Sequence, residues 1–258
     1  MSDKDLVERP EDGPEDDREQ TLVAHLIELR SRIVRMAVSV LLVFACLSPF
    51  MKQIFDSLSK PLMVAKLLAT GVIAPFMVPL KVTLFVAFVV ALPYVLWQLW
   101  GFIAPGLYRK EKKLAAPIII SSLVMFFLGM AYCYFIVFRM VFQFIAGFSP
   151  NSVNFAPDID SYFSFVLALF LAFGLTFEVP IIVVVLNRMG ITSISKLKKA
   201  RPYMVVGAFV LAAIVTPPDV LSQCLLALPL VILYQVGIWL CAVFGKKDEP
   251  EEENAESS

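Results

Sequence analysis

The sequence predicts an all-α membrane protein with six transmembrane helices, and three observations lead to that fold class. Hydrophobic residues make up 59% of the 258 residues and charged residues 17%, whereas soluble domains average roughly 45–50% and about 25%. The apolar residues occur in long runs, most of them near the ~20 residues that a helix needs to cross a bilayer. Only seven of the 22 acidic residues lie between Thr21 and Gly245. Lipid is therefore the solvent for most of the chain.

Six apolar runs form the predicted transmembrane spans. They cover residues 34–50, 79–100, 114–138, 162–186, 203–215 and 220–244. The fifth is short because Arg201 and the Pro217-Pro218 pair enclose a run that, at 1.5 Å per residue, covers only about 21 Å. Neither proline can continue a helix from within. We therefore expect a tight turn there and a hairpin of the fifth and sixth spans.

Both ends of the chain are acidic and poor in apolar residues, so residues 1–20 and 246–258 are predicted to be disordered tails around a membrane domain at 21–245. The first twenty residues lack the basic flank and apolar stretch of a signal peptide. This favours a bacterial or archaeal protein that is inserted by its own spans.

Basic residues predict the orientation of the spans. One set of connections, at 30–35, 109–113, 188–201 and 246–247, carries 14 lysines and arginines, and the opposite set carries five. The positive-inside rule places the richer side in the cytoplasm. With six spans, both termini lie on that side.

The segment before the first span has the spacing of an amphipathic helix. Apolar residues at positions 22, 26, 29 and 33 share one helix face, and Thr21 is the predicted N-cap. Glu28 and Arg32 fall on another face. We expect this helix to merge into the first span.

Three of the acids in the apolar region point to function. Glu28 and Glu111 lie among basic residues at the ends of spans, and Glu178 lies inside a span, where an ionisable group is functional by default. The spacing alone is also compatible with purely structural roles. Glu28 is four residues from Arg32 and suits an intrahelical pair, and Glu111 suits a solvated loop. Glu178 suits a protonated acid bonded to the Thr176 carbonyl that Pro180 leaves unpaired.

Catalytic, metal and cofactor sites find no support in the residue pattern. The chain has one histidine, His25, and its four cysteines, at positions 46, 133, 224 and 241, lie in apolar runs without CxxC spacing. No phosphate-binding GxxxxGK[ST] loop and no protease constellation occurs. We therefore expect that the protein is not an enzyme and that it binds no metal, cofactor or nucleic acid. A small-molecule secondary transporter remains an alternative, although the inverted repeats typical of that class are not evident. A purely structural membrane protein is another.

Several motifs, in order, resemble the TatC family, the multispanning receptor subunit of the twin-arginine protein translocase. The resemblance covers about residues 21–244. The motifs are HLIELRSR at 25–32, FIAPGLY at 102–108 followed by Glu111, FG at 173–174 with FEVP at 177–180, RPY at 201–203, and TPPD at 216–219 followed by Gln223.

The resemblance implies a concave bundle with short fifth and sixth helices, which binds the signal peptides of folded cargo proteins through their consecutive arginines. It assigns Glu28, Glu111, Phe102 and Arg30 to that binding and places both acids on one concave surface. An arginine fork pairs bidentately with a carboxylate. Cations around the two acids would repel ligands whose arginines are not correctly placed.

The resemblance also implies partners and a location. Thr216, Asp219 and Gln223 would contact single-span TatA- and TatB-type subunits in an oligomeric complex, and Pro61 would belong to an outer cap. Glu178 would line a polar hollow that helps the signal peptide insert. The complex would lie in the bacterial cytoplasmic (inner) membrane and use the proton-motive force.

Overall fold

The computed structural model describes residues 14–62, 67–103, 115–148, 156–215 and 220–244, and most of this part of the chain is helical. A 3₁₀ turn at Ser48–Phe50 joins the first two α-helices, and a π-helical turn at Cys133–Val137 joins the fourth and fifth. The α-helices are α1 Pro14–Leu47, α2 Met51–Leu62, α3 Ala74–Ile103, α4 Ala115–Tyr132, α5 Phe138–Phe148, α6 Ile159–Thr176, α7 Val179–Arg188, α8 Ile194–Lys199, α9 Arg201–Val215 and α10 Val220–Phe244.

The predicted fold class is confirmed. Five helical segments in the described part are long and apolar enough to cross a membrane, and α9 supplies a shorter apolar segment, Arg201–Ile214. The five longer segments are Leu26–Lys60, Ala74–Phe102, Ala116–Gln143, Ile159–Arg188 and Gln223–Val243. The expectation of a short sixth helix is wrong. That expectation came from the resemblance, whereas α10 has 25 residues, the length of the apolar run at 220–244, and Pro229 lies inside the helix without ending it.

The first helix begins earlier than predicted. α1 starts at Pro14, so Thr21 is not its N-cap. Proline is favoured at the first helical position. As predicted, the helix continues into the first span without a break. Residues 14–20 are helical although they belong to the predicted N-terminal tail, and the extents of both tails stay predictions.

α6 is the centre of the bundle, and α1 lies at its edge. Nine of the 18 residues of α6 are buried, and residues of α3, α5, α9 and α10 join them in one apolar core. In contrast, the most apolar window of the first span contains no buried residue, and α1 packs mainly along α3. The first span therefore exposes most of its surface to lipid or to other proteins.

Glycines let the third and fourth spans approach closely. A Cβ atom on Gly129 of α4 would lie 2.5 Å from the backbone oxygen of Phe173 in α6, and one on Gly174 would lie 2.5 Å from Cε2 of Phe126. Phe126 and Phe173 are both fully buried. Small residues permit such backbone contacts between membrane helices. The two spans are thus packed through one glycine on each side.

A loop before α3 is bonded to the start of α6 at the end of the bundle where α6 begins. The Leu68 amide donates to the Pro157 carbonyl at 3.1 Å, and the Ile159 amide donates to the Leu68 carbonyl at 2.8 Å. Asp158 caps α6 by accepting from the Ser161 amide at 3.1 Å, and its other oxygen accepts from the Thr70 hydroxyl at 2.6 Å. This carboxylate therefore ties the loop to the helix.

An ion pair joins α3 to the first turn of α6. Lys81 of α3 contacts Asp160 of α6 at 2.7 Å and donates to the Ser164 hydroxyl at 3.0 Å. The pair is partly exposed, and pairs of this kind contribute at most about 1 kcal/mol. Its main effect is to fix the alignment of α3 with α6.

Asp158→Asn is expected to destabilise the protein in a pH-dependent way. Hydrogen bonds from the Thr70 hydroxyl and from the Ser161 and Thr70 amides lower the pKa of Asp158 from 3.8 to about 2. A lowered folded-state pKa adds stability above the unfolded-state pKa, and this contribution is lost as the pH falls toward the folded-state value. Thermal unfolding in detergent should show a lower midpoint for the variant at pH 6 and a smaller difference near pH 2.

Asp56→Asn is the control for this comparison, because it removes an exposed carboxylate in α2 for which no side-chain hydrogen bond is found among the described residues. A difference between Asp158→Asn and the parent protein that stays constant from pH 6 to pH 2 would contradict the bonding role of the carboxylate.

Candidate functional site

One end of the bundle, here called the basic end, collects positive charge. It includes Arg30, Arg32 and Arg35 of α1, Arg188 at the end of α7, and the three lysines of α8. Ser193 caps the N-terminus of α8, because its hydroxyl accepts from the Lys196 amide at 3.2 Å. Cations at this end would attract an anionic ligand and repel a cationic one, unless a carboxylate is placed among them.

Glu28 is such a carboxylate. It lies on an exposed turn of α1, and its Oε1 accepts from Nε and Nη2 of Arg32 at 2.9 and 2.7 Å. The intrahelical pair that the spacing left open is therefore formed. Such exposed pairs contribute only about 0.3–0.5 kcal/mol, and 45% of the Glu28 side chain stays exposed. The pair does not exclude a ligand.

Arg32 also connects Glu28 to α3. Its Nη1 donates to the backbone oxygen of Gln98 at 3.3 Å and to the side-chain Oε1 at 3.4 Å. Gln98 is buried and donates in turn to the Tyr94 hydroxyl at 2.9 Å. Gly101 makes room for the guanidinium, since a Cβ there would lie 2.6 Å from Nη1. Gln98 and Gly101 were not predicted as site residues.

These contacts bring two of the predicted site residues to one place. Arg32 docks beside Gly101, so Glu28 lies near the end of α3 that carries Phe102, which is partly exposed. Arg30 is exposed on the same stretch of α1. The structure therefore gathers Glu28, Arg32, Gln98, Gly101 and Phe102 at the basic end, and we call this group the Glu28 cluster.

Several further predicted site residues lie wholly or partly outside the described part of the chain. Glu111, Thr216 and Asp219 are outside it, so the predicted approach of Glu111 to Glu28 stays a prediction. The backbone of Pro61 belongs to α2, and its side chain is not among those described. Gln223 is half-buried near the start of α10.

Glu178 lies at a break in the fourth span. α6 ends at Thr176, whose carbonyl Pro180 was expected to leave unpaired, and α7 begins at Val179. The Glu178 side chain is only 6% exposed. Neither of its carboxylate oxygens has a hydrogen-bond partner among the described residues, so the expected bond to the Thr176 carbonyl is not formed.

A polar pair from two other spans borders this carboxyl group. The Trp100 indole of α3 donates to the Ser122 hydroxyl of α4 at 2.9 Å. That hydroxyl faces the Glu178 carboxyl without reaching hydrogen-bond geometry. Trp100 and Ser122 were not predicted to belong to a site. The signal in the sequence was the Ser121-Ser122 pair within an otherwise apolar run.

The arrangement suits recognition of cations. Among the described residues, no group of three histidine, cysteine, aspartate or glutamate side chains could hold a metal ion. Glu178 is remote in sequence from Glu28 and has no described base or nucleophile bonded to it. One carboxylate, Glu28, is thus exposed at the basic end, and the other, Glu178, is buried at the helix break.

Comparison with known proteins gives consistent relatives. The family model described as "Sec-independent protein translocase protein (TatC)" matches residues 24–229. The protein of that name from Azotobacter chroococcum mcd 1 is 46% identical over 242 residues, which cover 92% of this chain and 95% of the relative. The one from Escherichia coli strain K12 is 45% identical over 239 residues, which cover 91% and 93%.

A solved structure agrees with the fold. The crystal structure of a twin-arginine translocase receptor, TatC, superposes with a TM-score of 0.75 and 35% sequence identity. The match covers 85% of this chain and 98% of the solved one. Sequence and structure thus lead to the same group of proteins.

Proposed function

We propose a function from one premise, which is that this chain belongs to the TatC family of Sec-independent protein translocase proteins. As a member, it is a core subunit of the twin-arginine translocase and not an enzyme. We propose in addition that it is the receptor that binds the consecutive arginines in the signal peptides of folded cargo proteins.

The Glu28 carboxylate is the observation that supports this receptor role. It is a half-exposed anion among Arg30, Arg32 and Arg35, and Phe102 is close by to contact an apolar residue of the peptide. Only Oε1 accepts from Arg32. A guanidinium of the ligand can therefore bond the other oxygen, and charge-assisted bonds of this kind contribute about 1.5–3 kcal/mol each.

Glu111 is proposed to supply the second carboxylate. Two arginines in sequence require two acceptors at a defined separation, whereas scattered cations on a ligand meet the repulsion of the basic end. Selectivity then comes as much from the surrounding positive charges as from the two acids.

We propose the topology and the partners from the same family membership. The basic end faces the cytoplasm of a bacterial cell, and both termini lie there. TatA- and TatB-type single-span subunits contact Thr216, Asp219 and Gln223, and Pro61 belongs to the cap on the opposite side. One face of α9 supports a membrane partner, because large apolar residues recur along it at 55–80% exposure: Tyr203, Val206, Val210 and Ile214. The complex is oligomeric and uses the proton-motive force.

Crosslinking of a twin-arginine signal peptide tests the receptor role. Glu28→Gln and Glu111→Gln should each weaken binding about tenfold or more, which corresponds to about 1.4 kcal/mol, because each removes one charged acceptor. Thermal unfolding of both variants in detergent should change little, since Glu28 contributes only a weak surface pair.

Asp56→Asn is the matched control, since it neutralises an exposed acid in α2 and should leave crosslinking unchanged. Unchanged crosslinking to both glutamine variants would contradict the assignment. A peptide whose arginine pair is replaced by lysines should bind weakly to the parent protein, because lysine is a point charge without the planar fork. If the protein were a small-molecule transporter, no specific crosslinking of the signal peptide would be expected.

A further inference from the structure

Arg32 is held more firmly than a surface arginine that pairs only within its own helix. Its guanidinium makes two bonds to Glu28 and two to Gln98 of α3. Only 22% of its side chain is exposed, against 45% for Glu28. Gln98 is 8% exposed and is itself oriented by Tyr94. The arginine therefore has a fixed seat on α3, and the carboxylate bonded to it takes its position from that seat.

The pair uses only half of the carboxylate. Nε and Nη2 of Arg32 both donate to Oε1 of Glu28, and Oε2 accepts no hydrogen bond from any described residue. An arginine that forms a fork–fork pair uses both oxygens. Because Nη1 is directed to Gln98, Glu28 meets the Nε–Nη2 edge of the guanidinium, and both of these donors bond the same carboxylate oxygen.

We propose that Arg32 is a positioning residue for signal-peptide recognition, which holds Oε1 of Glu28 at the end of α3 and leaves Oε2 for an incoming guanidinium. This rests on the proposed function of Glu28. Arg32 does not have to be displaced by the ligand. It fixes the rotamer of an otherwise exposed glutamate, so that less side-chain freedom is lost when the peptide binds.

If Arg32 competed with the peptide for Glu28, its removal would change the affinity for the peptide in the opposite direction. If Arg32 were an internal competitor for Glu28, its removal would free the carboxylate and reduce local repulsion, and a cationic peptide would bind more tightly. If Arg32 positions Glu28, its removal weakens binding even though one repelling charge is lost. The direction of the change in affinity therefore separates the two roles.

Arg32→Gln is the first variant to measure. The probe is a synthetic peptide with two consecutive arginines, and the protein is the full chain purified in detergent. We expect about a tenfold loss of affinity. Arg32→Lys should recover only part of it, because one ammonium group cannot bond Glu28 and Gln98 in the same planar geometry.

Gly101→Ala tests the seat without changing any charge. A Cβ there would lie 2.6 Å from Nη1 and 3.4 Å from Cζ of Arg32, so the flexible end of the arginine must move. Alanine also favours the helix more than glycine, and the thermal midpoint should stay equal or rise. We expect affinity for the peptide to fall several-fold. Gly147→Ala, where a Cβ meets nothing within 4 Å, should leave affinity unchanged.

A double-mutant cycle connects the effect to Glu28. In a Glu28→Gln background, Arg32→Gln and Gly101→Ala should have almost no further effect on affinity, because there is no carboxylate left to position. Equal effects in both backgrounds would show that Arg32 acts through the packing of α1 on α3 and would overturn the proposal.

The remaining outcomes separate the two hypotheses. If Arg32→Gln binds as well as or better than the parent while Glu28→Gln binds poorly, the positioning role is wrong and the receptor assignment stands. If Glu28→Gln itself has no effect, the receptor assignment fails and the positioning role fails with it. If Arg32→Gln does not fold, the decision rests on Gly101→Ala alone. If that variant displaces Arg32 and its affinity for the peptide is unchanged, the proposal is overturned.

Discussion

Gly129→Ala is expected to lower the free energy of unfolding by about 2 kcal/mol or more, within the range of overpacked sites. The reason is the obstacle that the new methyl group meets. It would lie 2.5 Å from the oxygen and 2.9 Å from the carbon of the Phe173 carbonyl, which are backbone atoms of the central helix α6. A side chain could rotate away, but this carbonyl can move only if α4 and α6 separate. Phe173 is fully buried between them.

The effect can be measured as thermal unfolding in detergent and as the amount of protein in membranes. Gly207→Ala is the matched control, because a Cβ at position 207 in α9 meets nothing within 4 Å. Alanine there should be neutral or stabilising by up to about 1 kcal/mol through helix propensity. Equal midpoints for the two variants would show that α4 and α6 have room to separate.

Gly174→Ala offers a second comparison from the same contact. Its Cβ would meet the Phe126 ring at 2.5 Å, and that obstacle is a side chain. Adding Phe126→Leu should therefore restore part of the stability of Gly174→Ala, whereas it should not rescue Gly129→Ala. The difference tests whether a backbone group is the obstacle at Gly129 while a side chain is the obstacle at Gly174.

The sequence was sufficient to locate the five long spans, because lipid imposes a simple length requirement. The predicted sixth span and α10 have the same bounds, 220–244. The break in the fourth span lies beside Pro180, which has no amide hydrogen to donate to the carbonyl four residues earlier. The start of α1 was predicted wrongly, because an acidic segment that is polar all round carries no apolar periodicity from which to place a helix end.

The side-chain partners could not be read from the sequence. Arg32 and Gln98 are 66 positions apart, and Trp100 and Ser122 are 22 apart in different spans. Their contacts depend on the rotation and axial shift of each helix against its neighbour, and apolar composition does not specify either. The spacing predicted the Glu28–Arg32 pair because both residues lie on one helix. It could not show that α3 holds the arginine.

Glu178→Leu is expected to leave the thermal stability equal or higher and to lower the export activity. Both oxygens of this buried carboxyl lack hydrogen-bond partners among the described residues, and burying an unsatisfied polar group costs about 1–3 kcal/mol. Leucine is of similar size and has no polar atoms. Thermal stability in detergent should therefore stay equal or rise, which rules out misfolding as the cause of any loss of activity.

Export of a twin-arginine reporter, in a strain that lacks its own receptor, should fall about tenfold or more with Glu178→Leu. An ionisable group at membrane depth is functional by default. The predicted role of Glu178, to line a polar hollow that helps a signal peptide insert, would give such a function, because the hollow would admit water and lower the barrier to insertion. Glu178→Gln keeps the polarity and should retain a large part of the export. Ser122→Ala, which removes the facing hydroxyl, should reduce export less than Glu178→Leu does. Full export with Glu178→Leu would show that the carboxyl has no part in transport. Equal losses of export with Glu178→Leu and Glu178→Gln would show that transport requires the acid itself and not polarity alone.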